Sequence, residues 1–291
     1  MKTYLTLFYV LLLVLLSACN GKSSQKEENK RLIMVTMEPQ RYFTEAIAGD
    51  KFLVESMVPK GSSPETYDPT PQQLTRLSKS EAYLRIGHIG FEQSWMDRLT
   101  DNAPHMQIFD TSKGVELIHG EGHNHGDHFH AGGVDPHIWN SISNARIIAK
   151  NTFQALITLD KTNENYYLHR YDSLCKVINR TDSVINNIFQ TRKADHAFMI
   201  YHPALSYFAR DYGLHQICIE EEGKEPSPAH LRDLIEICKE EEVRIIFVQP
   251  EFDRRNAEII AKQTNTNIVD VNPLSYNWEK EMIHIANSLC K

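Results

Sequence analysis

The chain has 291 residues, 41% of them hydrophobic, and its 31 basic and 38 acidic side chains leave a formal charge of −7. A mildly acidic chain of this kind has no electrostatic footprint for nucleic acid. Its length exceeds the usual size of one domain and fits two lobes of ordinary size.

Residues 1–18 place one lysine ahead of an apolar run from Leu5 to Leu16. The run is too short to span a bilayer and suits a secretory signal. It ends in Leu16-Ser17-Ala18-Cys19, which resembles the lipobox of bacterial lipoproteins, where cleavage leaves the cysteine acylated as the first mature residue. A chance cysteine after an ordinary signal is the alternative. Residues 19–30 are polar and charged, the composition of a flexible tether. Together these segments predict a protein of the cell envelope, periplasmic or otherwise extracytoplasmic, anchored to a membrane by lipid on Cys19.

From residue 31 short apolar strands alternate with helical patterns. Arg31 to Met37 reads as a buried strand, Gln40 to Ala48 as a helix ended by Gly49, FLVESMVP as a second strand, and TPQQLTRLSKS as a helix with Pro71 in its first turn. AYLRIG and MQIFD continue the series. Ala145, Ile148, Ala149, Thr152, Leu156 and Leu159 then share one helical face, and the pattern breaks at Asp160 to Asn163. A second stripe follows: Tyr167, Tyr171, Leu174, Ile178, Thr181, Ile185 and Ile188. Such a stripe also fits a coiled coil, but under four heptads reads first as a long helix packed along its own domain. The alternation resumes with AFMIY, ALSYFARDYG, HQICIE, PSPAHLRDLIEICKEEE, VRIIFVQ, Arg255 to Gln263, and NIVDV. The expected fold is therefore α/β, with two lobes, each a parallel sheet flanked by helices. The boundaries fall at 31–160 for the first lobe, 161–192 for a linker helix and 193–291 for the second lobe. Ligands of such folds bind at the carboxyl ends of the strands, here in the cleft between the lobes.

Five of the 14 histidines, His119, His123, His125, His128 and His130, fall within residues 119–130, a glycine-rich insert. Imidazoles so concentrated point to metal. Mobile imidazoles bind more weakly than a preorganised site, because binding must order the chain. The expectation is that this loop collects or senses metal beside a tighter site elsewhere; a flexible polar insert is the plainer alternative.

Four motifs sit at strand ends: GSSPETYDPTP presenting Glu65, VDPHIWN presenting His137, YHPALSYFARDYG presenting His202, and VDVNPL carrying Asp270 and Asn272. Taken singly, Glu65 reads as a solvated carboxylate, His137 as a histidine bonded to backbone, and His202 as a cap for a helix at Pro203. Taken together, with the loop and the lipobox, the motifs resemble those of the metal-binding receptors of ABC importers. They are most similar to the zinc-uptake solute-binding lipoproteins, with manganese-binding relatives. The resemblance runs from about Arg31 to the C-terminus.

The resemblance implies two lobes joined by a long rigid helix, with Zn2+ held between them as transported ligand rather than as a catalytic group. It implies His137 and His202 as ligands from opposite lobes. Relatives commonly have histidine where this chain has Glu65, and a carboxylate is chemically acceptable there. Manganese-type relatives place an aspartate where this chain has Asn272, so the fourth ligand is Asp270, Asn272 or water. Imidazoles favour zinc, and Glu65 leaves manganese or iron open. The implied partner is an ABC permease with its ATPase, served by a monomer. By the same resemblance Cys238 and Cys290 form a disulfide. Two other classes remain: a zinc buffer or adhesin-like surface lipoprotein, and a zinc hydrolase, which also uses His/His/Glu sites but for which no H-E-x-x-H segment or general base is evident.

Overall fold

The structure, a computed structural model, describes residues 30–120, 123–125, 128–130, 133–192, 194–220 and 223–290. The signal segment, the tether through residue 29 and the lipidation site Cys19 lie outside the described residues.

The first lobe runs β1 (Arg31–Val35), α1 (Glu38–Ala48), β2 (Phe52–Ser56), α2 (Pro71–Leu77), β3 (Ala82–Arg85), α3 (Gly90–Asn102) and β4 (Gln107–Asp110). Its four strands are all parallel, in the order β2-β1-β3-β4. Short strands β5 (His123–His125) and β6 (His128–His130) form an antiparallel ribbon pairing His123 with His130 and His125 with His128. Helices α4 (Ile142–Leu159) and α5 (Glu164–Thr191) follow, with a 3-10 turn, Lys161–Asn163, between them. The second lobe comprises β7 (Ala197–Ile200), α6 (Ser206–Tyr212), β8 (His215–Cys218), α7 (Pro228–Glu240), β9 (Ile245–Val248), α8 (Arg255–Thr264), β10 (Asn267–Asp270) and α9 (Trp278–Ser288). Its parallel sheet has the order β10-β9-β7-β8.

Both sheets are covered on both faces, which is why their central strands are unbroken apolar runs rather than alternating ones. Alternate side chains of a strand point to opposite faces. Thus Leu32 and Met34 pack outward with Leu77 and Phe91, while Ile33 and Val35 point inward. In the second lobe Met199 and Ile246 meet α7 and α8, while Phe198, Ile200 and Phe247 point inward. The two inward faces belong to one continuous core that includes Ile148, Leu156, Ile178 and Ile185 of α4 and α5. Helix α5 has 28 residues, a length of about 42 Å. It packs on α1, α4 and α9, so it splints both lobes. Of the stripe expected from the sequence it buries Tyr167, Leu174, Ile178, Thr181, Ile185 and Ile188, with Tyr171 only partly buried. Truncating Ile178 or Ile185 to alanine in so closed a core costs about 2–5 kcal/mol.

The joint between α4 and α5 is built by Asp160, whose carboxylate accepts hydrogen bonds from Thr162 Oγ1, Asn163 Nδ2 and Tyr167 Oη and lies 3.4 Å from Arg31. Two helices, α3 and α9, have no counterpart in the elements read from the sequence. Helix α9 buries Trp278, Met282, Ile285 and Ala286 on one face, a helical spacing. Helix α3 buries only Phe91, Glu92 and Leu99, too sparse for a clear period.

The expected Cys238–Cys290 disulfide is not formed. Cys175, Cys218, Cys238 and Cys290 are free thiols. Cys238 sits in the outer core of the second lobe with its thiol against Val243 O and Thr266 Oγ1, whereas Cys290 packs on the inner core, across the sheet.

Candidate metal centre

Glu65 belongs to the loop that follows β2. Pairing continues past the strand, with Met57 and Val58 donating to Val35 and Thr36, and Gln73 Nε2 then ties Met57 O to the capping box at Thr70. The loop is held across the lobe by Phe91 N–H to Pro64 O, 2.8 Å, and Gly90 N–H to Glu65 Oε2, 3.1 Å. Gly90 starts α3, whose first amides have no partners within the helix and favour an anion.

His137 stands in a turn set by Asp135, whose Oδ1 accepts from His137 N–H and faces its Nδ1, both at 2.9 Å. Asp135 is fixed in turn by Tyr207 Oη on its carbonyl and by its own N–H to Ile118 O. Burial pushes the Asp135 carboxyl up, but hydrogen bonds, those from His137 foremost and one from Ser206, outweigh it and hold the group below the usual carboxylate range.

His202 leaves β7 where the strand order of the second sheet reverses, the usual place for a ligand in such sheets. Gln249, buried at the end of β9, clamps its backbone, donating to His202 O at 2.7 Å and accepting from His202 N at 3.3 Å. Its Nδ1 lies 2.8 Å from Glu220 Oε1, and Phe252 stacks on its ring. Helix α6 starts at Ser206 and takes no cap from His202, so the capping alternative does not hold.

These three elements converge. One ligand atom each from Glu65, His137 and His202 lies within 4.8 Å of the other two. The two Nε2 atoms are 3.1 Å apart. Zinc–imidazole bonds of about 2.0–2.1 Å in tetrahedral geometry separate two nitrogens by about 3.3 Å, so the rings already stand nearly at the edge of a metal's coordination sphere. The tautomer that donates from Nδ1 to these carboxylates turns the two Nε2 lone pairs toward one another, an arrangement that suits a cation between them. The cavity they line measures about 30 Å³ and is walled by Trp139, Phe252, Pro273 and Leu274. That is room for an ion and a water, not for an organic solute.

Asp270 and Asn272, two of the three candidates for a fourth ligand, are engaged elsewhere. The Asp270 side chain is 76% exposed and pairs with Arg254 at 3.4 Å. It lies on an edge strand and is not among the three residues whose ligand atoms converge. Asn272 is occupied within its own turn, its Oδ1 accepting from Leu274 N–H and its N–H donating to Glu281. His119 is exposed and bridges Val134 at the neck of the histidine loop, outside the cluster. His123, His125, His128 and His130 pair through their backbones in the β5–β6 ribbon.

Three residues of the site escaped the sequence reading. Glu220 and Gln249 reach His202 from neighbouring strands of the sheet, and only the placement of Glu220 two residues past the strand end at Cys218 hinted at it. Glu251 also lines the cavity; burial pushes its carboxyl up, partly opposed by the His202 ring.

A family model described as the zinc-uptake complex component A, periplasmic, matches residues 33–289. The metal ABC transporter substrate-binding lipoprotein FimA of Streptococcus parasanguinis is 30% identical over 276 residues, covering 91% of this chain and 86% of that one. The manganese ABC transporter substrate-binding lipoprotein PsaA of Streptococcus pneumoniae is 29% identical over 273 residues, with the same coverage. A crystal structure of ZnuA superposes with a TM-score of 0.82 at 33% identity, covering 89% of this chain and 98% of its own. The chain therefore belongs to the ZnuA family, metal-binding solute receptors of ABC importers rather than enzymes.

Proposed function

We propose that this protein captures Zn2+ outside the cytoplasm, holding it with Glu65, His137 and His202, and delivers it to an ABC permease and its ATPase. The observation that carries the reading is the pair of imidazole Nε2 atoms 3.1 Å apart beside one carboxylate. Two nitrogens and one oxygen suit zinc better than manganese, which favours more oxygen and a higher coordination number. Ligands drawn from both lobes also provide a route for release, since a small change in lobe geometry alters every bond at once. Cleavage before Cys19 and acylation of that residue would hold the protein, as a monomer, at the membrane where the permease lies.

Manganese is the second reading. It is favoured by the similarity to PsaA, which is named for manganese, and by the carboxylate at position 65.

The test is a competition titration of Zn2+ and Mn2+ into metal-free mature protein from which residues 121–132 have been removed, beside the same protein carrying His202→Ala. One tight equivalent that prefers zinc and disappears with His202→Ala supports the reading. Preference for manganese at that equivalent selects the second reading. Loss of tight binding on loop removal alone makes the loop the binding element and the protein a zinc buffer.

A further inference from the structure

Glu65 is held asymmetrically. Its Oε2 accepts the N–H of Gly90 at 3.1 Å, while Oε1 is buried with no hydrogen-bond partner among the described residues. A buried carboxylate oxygen without a donor is costly unless something else fills its lone pairs. Gly90 makes this contact possible by lacking a side chain: a Cβ there would stand 2.6 Å from Glu65 O and 2.7 Å from Glu65 Oε2. Its backbone is not in the left-handed region, so what position 90 requires is close approach, not conformational freedom.

We infer that Gly90 is a specificity-determining residue, which holds Glu65 as a one-oxygen ligand and thereby restricts the site to a four-coordinate ion. The inference rests on the reading of Glu65, His137 and His202 as the ligand set. A carboxylate that chelates must turn both oxygens to the metal, whereas the amide bond to Oε2 favours ligation through the unpartnered Oε1 alone. Two imidazole nitrogens and one oxygen then leave a single further position, which suits tetrahedral zinc and leaves manganese short of ligands. The residue acts through Glu65 and does not touch the ion.

The experiment measures Zn2+ and Mn2+ affinities by competition in the mature protein, in Gly90→Ala, in Glu65→Ala and in the double variant. Gly90→Ala is expected to weaken zinc about 10- to 100-fold and manganese less, so that the zinc-to-manganese ratio falls. In the Glu65→Ala background the same substitution is expected to leave the ratio unchanged. Equal losses for both metals, or the same change of ratio in both backgrounds, would mean that the methyl only distorts the loop, and would overturn the inference. Should Gly90→Ala fail to fold, the Co2+ spectrum of the unsubstituted protein decides. Intense visible bands of a four-coordinate ion support the inference, and the weak bands of a five- or six-coordinate ion overturn it. If the unsubstituted protein holds no metal equivalent that His202→Ala removes, it is the assignment of the ligand set that fails instead.

Discussion

His137 and His202 come from opposite lobes and meet with their Nε2 atoms 3.1 Å apart, each ring backed at Nδ1 by a carboxylate of its own lobe, Asp135 at 2.9 Å and Glu220 at 2.8 Å. The carboxylates fix the tautomer and the ring plane and make the imidazoles better donors. Glu220→Gln keeps the shape of the side chain but removes the charge. Zinc affinity is expected to fall about 10- to 100-fold while the metal-free protein unfolds at nearly the parent temperature. A chelator competition read beside a thermal melt checks this. An affinity equal to the parent's would show that Glu220 is only packed against the ring.

The histidine loop is expected to be separable from the tight site if it is cut at the right place. Its neck is built by the His119–Val134 bridge, Gly120 N–H to Gly133 O, and Asp135 N–H to Ile118 O. The last of these bonds holds the residue that orients His137. Joining Gly120 to Gly133, with residues 121–132 removed, gives up the Gly120–Gly133 bond but keeps the His119–Val134 bridge and the Asp135–Ile118 bond, and the tight affinity should stay within about threefold of the parent, the context dependence of a single contact. A deletion that extends to His119 and Val134 should weaken it further. Equal weakening by both deletions would make the loop's own residues part of the tight site.

Unreduced mature protein, denatured and titrated with a thiol reagent, should show four reactive thiols besides any at Cys19. A count of two would restore a disulfide. In the native state Cys218 should react slowly at neutral pH and faster as pH rises, because burial, and then the nearby Glu220 charge, pushes its thiol up to about 12. The thiolate is the reactive form, so at pH 8 little of it is present.

Much of this site was legible because His137, His202 and Glu65 are presented by short loops whose signals, proline, aspartate and strand end, are local. Glu220 and Gln249 were not, because they reach His202 only through the strand order β9-β7-β8, which no local pattern encodes. Asp270 shows the opposite error. Its nearness in sequence to the family's aspartate position suggested a ligand, but an edge strand exposes the face on which it stands, and Arg254 neutralises it there. Cys238 and Cys290 failed for a related reason: a sheet lies between them. The α5 stripe was readable because a helix buried on one face must repeat with the helical period wherever it packs.

The joint at Asp160 gives the fold a measurable dependence on acid. Burial pushes this carboxyl up, but hydrogen bonds from Thr162, Tyr167 and Asn163 and the charge of Arg31 together hold it below the usual range. A carboxylate with a depressed value in the folded state adds stability above its ordinary value, about 3.9, and that stability is lost as pH falls through the folded value. Asp160→Asn cannot accept all of these donors, since its amide nitrogen is itself a donor. It should cost about 1–3 kcal/mol at pH 7, and the deficit should shrink as pH is lowered below about 4. Urea midpoints of parent and variant at pH 7 and at the lowest pH where both remain folded make the comparison. A deficit of the same size at both would mean that the shape of the side chain, not its charge, sets the angle between α4 and α5.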